Sequence, residues 1–202
     1  MTAQIGDIVR HREQSYTCLR QMGGELFRPQ DYGMIPVGFS TACRRGYFCT
    51  YEVTDSVLTL QKLRILDGLC HYPPINGVGI AGELPAGPFA SEDEEIAARL
   101  TRSRPQDYRD VGLRIPFSGK LLLGADFDFR YYIHQGLQRP FGFGKLFTYA
   151  FEDGVLQEIT DHSQTAALLR ELCGDDSDSL ICRTRPPYEK LPEELRKTLW
   201  WL

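Results

Sequence analysis

Among the 202 residues, the four histidines and six cysteines have the widest chemical repertoire. His134 is the histidine best placed for chemistry. It follows Arg130 and Tyr132 in a stretch, Phe127 to Gln135, that reads as a short helix capped by Asp126 and stopped at Gly136. A histidine near a helix C-terminus is favoured by the helix dipole without any catalytic duty. To act as a general base it needs a proton donor or nucleophile within hydrogen-bond reach. Tyr131 and Tyr132 are the local partners; Cys49 and His71 are distant ones. The candidate catalytic or ligand-binding residues are therefore His134, Tyr132 and Arg130, and no catalytic set is complete around them.

The other motifs are weaker. Asp161-His162-Ser163 has the residue types of a hydrolytic triad, but consecutive side chains diverge, so a helix N-cap is expected. Cys43 precedes Arg44 and Arg45, whose charges would favour a thiolate; a strand-entry cysteine beside solvated arginines is the plainer reading. Gly77-Val78-Gly79-Ile80-Ala81-Gly82 spells a dinucleotide fingerprint. Pro73-Pro74 before it and Pro85 and Pro88 after it deny it the strand and helix that such a loop must join. Gly119-Lys120 fails as a P-loop, with Arg114 and Leu121 at the flanking motif positions. The acids Asp175, Asp176 and Asp178 lack the glycine and final glutamate of a calcium loop. Arg183 to Tyr188 reads as a stiff connector or an extended partner-binding segment. No Cys-x-x-Cys pair occurs and no two histidines lie within four residues, so neither a metal nor a cofactor is expected.

The elements that must position these residues are mostly strands. Two short strands flank Arg12-Glu13-Gln14. Residues 46–66 alternate, with Tyr47, Cys49, Tyr51 and Val53 on one face, and turn at Thr54-Asp55-Ser56: a β-hairpin. A second hairpin spans 144–160, turned by Asp153-Gly154. Strand character also runs through 111–123. Helices are expected from Ser91, where Glu94 completes a capping box, to Pro105; from Ser163 to Leu172; and from near Pro192. The two hairpins echo each other: Gly46 to Leu58 aligns with Gly144 to Leu156, with Gly, Thr, Tyr, Asp, Val and Leu shared. Convergent turn chemistry or a true duplication would each produce this.

The run Arg45-Gly46-Tyr47-Phe48-Cys49-Thr50-Tyr51-Glu52-Val53 resembles a segment of small uncharacterised bacterial proteins. Phe117 to Leu121, Tyr132 to Gly136 and Phe151 to Leu156 are similar to the second half of the same proteins. The resemblance covers about residues 40–162. The family has no assigned activity, so it implies no site residues.

Composition bounds the rest. A net charge of −4 and a pI near 5.6 argue against a general nucleic-acid binder. Ten tyrosines and eleven phenylalanines provide ample burial. No basic, apolar N-terminal leader is present and no apolar run approaches the roughly 20 residues of a membrane span, so a cytoplasmic protein with free thiols is expected. The expected fold is a single α+β domain over residues 1–202, β-dominant. It is an antiparallel sheet or partly closed sandwich of hairpins with three or four peripheral helices. The expected function is a non-enzymatic bacterial protein-interaction domain, one concrete form being an immunity-type protein that neutralises a partner toxin; its partner and oligomeric state are open. The alternative is a small enzyme or ligand-binding domain with a pocket near residues 126–135.

Overall fold

A computed structural model describes residues 2–82, 84, 91, 93–95, 103–173 and 188–198. Most of the helix expected after Ser91, the acidic loop at 174–179 and the 183–187 connector lie outside the described residues. At the start of that helix, Ser91 Oγ accepts the Glu94 N–H at 3.2 Å, as a cap requires.

Eight strands dominate: β1 (Ile8–His11), β2 (Gln14–Met22), β3 (Tyr47–Thr54), β4 (Val57–Ile65), β5 (Gln106–Arg114), β6 (Gly119–Phe127), β7 (Phe143–Glu152) and β8 (Val155–Asp161). They form one sheet in the order β3-β1-β2-β6-β7-β8-β4-β5. β3 also pairs with β4, so the strands close into a ring. The expected β-dominant α+β fold is what the chain adopts. The sheet is mixed rather than wholly antiparallel, because β1 runs parallel to β3, with Ile8 opposite Thr50 and His11 opposite Val53. Long sequence separation between β1 and β3 makes the parallel pairing possible, since a tight turn cannot produce it.

Alternation fills the inside of the ring. Val9, Cys49, Tyr51, Leu58, Leu60, Tyr108, Leu121, Leu123, Tyr149 and Phe151 share one buried cluster. A second cluster lies outside the ring, where the Ser163–Cys173 helix covers β6 and β7. It joins Leu122, Phe141, Phe143, Leu146, Ala166 and Leu169. With cover on both faces, β6 buries five consecutive residues, Leu121 to Ala125, as a central strand must. In β2, alternation sends Cys18 to the inner cluster and Leu19 to the outer one, and a bulge between Cys18 and Arg20 then sets Arg20 opposite Leu122.

The helix expected from Phe127 to Gln135 does not form. β6 continues to Phe127, which pairs with Phe143, so the ladder takes the residues of the would-be first turn. Asp126 belongs to β6, with φ of 57°. The cap falls on Asp128, whose carboxylate accepts the Arg130 N–H at 3.0 Å, and only the single 3-10 turn Phe129–Tyr131 follows. Aromatic and β-branched side chains in this stretch suit extended backbone better than helix.

The two echoing hairpins meet at their turns. Val57 pairs with Val155, its counterpart in the echo. The Leu58 N–H donates to Gly154 O at 2.8 Å and the Leu156 N–H donates to Ser56 O at 2.7 Å. Each bond is the other's equivalent under the echo, the reciprocity that a local two-fold imposes. This short seam is the only pairing of β4 with β8; further along, β4 pairs with β5 instead.

Candidate functional site

Asp7 is one of four buried polar or charged side chains among the described residues, with Asp67, Thr148 and His162, and is the one that pairs with an arginine. Alternation places it on the same face as Val9 and His11. Its carboxylate accepts from the Arg45 guanidinium and from the Cys49 N–H at 2.7 Å. Arg45 also donates to Tyr47 O at 2.6 Å and stacks on the Tyr47 ring, 4.5 Å from its centroid. Burial works against the Arg45 charge, yet the Asp7 carboxylate prevails and holds the guanidinium more firmly protonated. Burial, then Asp7, pushes the Cys18 thiol up to about 12 and the Cys49 thiol well above its ordinary range. Cys43 is also pushed up by burial, which outweighs the opposing charge of Arg45. Each shift disfavours the thiolate, the nucleophilic form of a cysteine. A cavity of about 250 Å³ beside Arg45 and Tyr47 opens onto the cluster. The arrangement is a clamp that joins the chain before β1 to the entry of β3.

A second polar contact crosses the ring. His11 Nδ1 and the Tyr149 hydroxyl share a hydrogen bond at 2.8 Å, with the rings edge to face. Burial and then Arg12 lower the His11 pKa, so the imidazole is held neutral.

The three residues singled out by sequence do not converge. His134 is exposed and meets the Tyr132 ring edge-on at 5.1 Å. Arg130 turns to Asp128, with Nη2 2.6 Å from the carboxylate, and lies over the Tyr131 ring. Asp161, His162 and Ser163 also diverge. Asp161 accepts the Ser163 N–H at 2.8 Å, Ser163 Oγ accepts from Leu146, and buried His162 bonds Thr148 Oγ1 at 2.9 Å. The glycine loop makes a tight turn, with Ile75 and Val78 bonding each other through their backbones, and opens no helix. Among the described residues, no group of three His, Cys, Asp or Glu side chains is placed to hold a metal, and no helix is long and apolar enough to cross a membrane.

Sequence reading missed Asp7, although the alternation Asp7, Val9, His11 carried the signal. It also missed the character of β8. Residues 157–161 are all exposed, Ile159 at 41%, and among the described residues no strand pairs with their outer edge. From Glu152 to Asp161 the chain carries four acids and no base. Continued at the same offset past the end of the echo, 157–161 correspond to 59–63 of β4, and that stretch is covered by β5. Comparison with family models, with curated proteins and with solved structures finds no match.

Proposed function

We propose that the chain is a non-enzymatic protein-interaction module of the cytoplasm, and that its docking element is the outer edge of β8. What carries this reading is the unequal treatment of two corresponding edges: β5 covers residues 59–63 of β4, while among the described residues no strand pairs with the outer edge of 157–161 of β8. An open strand edge offers backbone donors and acceptors to an incoming strand. The acids Glu152, Glu158 and Asp161 suit a basic partner segment, while Asp153 is already paired with Arg114. An immunity-type protein that masks a basic toxin is one concrete form of such a module. Among the described residues, the buried Cys18, Cys43 and Cys49 form no disulfide, which fits a reducing compartment.

A peptide of alternating lysine and valine tests the edge. Hydrogen exchange of the full chain should slow at 157–161 on addition of the peptide. The protection should weaken with salt and be lost in Glu158→Lys. Unchanged exchange there, or protection indifferent to Glu158→Lys, refutes the edge as a docking element. The alternative, an enzyme or ligand-binding domain using His134, Tyr132 and Arg130, has the Tyr132–His134 contact in its favour. It fails if His134→Ala leaves ligand behaviour unchanged.

A further inference from the structure

On the opposite side of β2 from the ring interior, a cleft of about 510 Å³ lies between residues 19–21 and the 133–140 segment. Its volume is within the range of small-molecule sites, roughly 300–1,000 Å³. Three features distinguish it from an ordinary surface dent.

Its far wall is held in place before any ligand arrives. Gln138 clamps Ile133 at both ends, accepting its N–H at 2.9 Å and donating to its carbonyl at 3.0 Å. Gly136 is tied to the N-terminal segment by the Gln4 N–H at 2.8 Å. A clamped loop loses little freedom on binding, which favours recognition.

The charges lining it are of one sign. Arg20 and Arg139 both line the cleft, and no carboxylate does. Neither guanidinium makes an ion pair among the described residues. Both charges reach the half-buried Tyr188, whose hydroxyl is pushed up by burial and drawn back down by Arg139 and Arg20. The two arginines come from distant parts of the sequence, so the fold brings them together.

One donor is stranded. Arg139 Nε is buried and has no acceptor among the described residues. A buried guanidinium N–H without an acceptor is costly, and such a group calls for a partner.

We propose that this cleft binds a phosphate monoester, its phosphate held by Arg20 and Arg139 and its organic body laid against Leu137 and Ile133. Two guanidiniums match the charge of a phosphate dianion, and their planar forks match its oxygens. Leu137, 40% exposed, supplies apolar surface for the rest of the ligand. This site is independent of the β8 edge and uses none of His134, Tyr132 and Arg130.

Calorimetric titration of the full chain at low ionic strength tests it, with phenyl phosphate, inorganic phosphate and benzoate as probes. Phenyl phosphate should saturate one site per chain, be displaced by inorganic phosphate, and bind more tightly than either other probe. Arg20→Gln and Arg139→Gln should each weaken it about tenfold or more, the loss of one charge-assisted hydrogen bond. Arg139→Lys keeps the charge but lacks Nε, and should also weaken binding. Lys62→Gln, which removes one exposed charge from β4, should leave it unchanged. Three results would overturn the assignment: non-saturating uptake that Lys62→Gln lowers as much as the arginine variants, binding that ignores both arginines, or benzoate binding as tightly as phenyl phosphate.

Discussion

Protonation of the His162 imidazole should work against the fold. His162 is buried and bonded to Thr148, and burial lowers its pKa below the ordinary 6.5, with Asp161 opposing more weakly. The unfolded chain therefore takes up the proton more readily than the folded one. The His162 contribution to stability is complete above about pH 6.5 and drains away as the pH falls from there through the lowered folded value. His11 acts in the same direction. Urea midpoints measured from pH 7.5 to 5.5 should fall, and the slope should be shallower in His162→Gln, whose amide can keep a bond to Thr148. A slope identical in the two proteins rules the imidazole out as its cause. At this scale the sequence was only partly legible. The pattern Asp7, Val9, His11 announces a carboxylate on an inward face, but nothing near Asp7 names Arg45 as its partner. Arg130, Tyr132 and His134 misled because Asp126 and Gly136 read as the cap and stop of a helix, while the ladder from β6 to β7 claimed Phe127 first.

The hairpins were legible as elements, since their turn residues and alternation are local properties. Asp153 and Gly154 have φ of 44° and 75°, a left-handed pair suited to the right-handed twist of the strands they join. Gly154 has a second duty that no local signal reveals. A Cβ there would lie 2.2 Å from Ile115 O, while its N–H donates to Phe117 O and its carbonyl accepts from Leu58. Gly154→Ala should cost about 3 kcal/mol, combining left-handed strain with overpacking. Gly77, with φ of 79° and open space around it, should tolerate alanine at about 1 kcal/mol. Urea denaturation of both variants checks the contrast, and equal losses would refute the role of the Ile115 contact. The Ser163–Cys173 helix was read correctly because its apolar spacing is self-contained; the 127–135 error came from a segment whose fate depends on β7.

At the scale of the whole molecule, closure was invisible in the sequence. It depends on pairings between residues far apart in the chain, which no window of residues displays. The ring is thick along β6 and β7, where both faces are buried, and thin at the Val57–Val155 seam. Stability should be distributed accordingly. Amide exchange at Leu58 and Leu156 should proceed through partial opening of the seam, while Leu122 and Thr148 should exchange only on global unfolding. Equal protection at the four amides would show that the ring opens as one unit.

The seam has one more implication. Val57 and Val155 stand in the same position of two like ribbons and grip each other by mutually interchangeable bonds. A fragment bearing just one ribbon would own both halves of that handshake, and two such fragments could clasp as mirror-free twins. The chain thus carries, inside a single polypeptide, the type of contact by which separate identical subunits recognise one another.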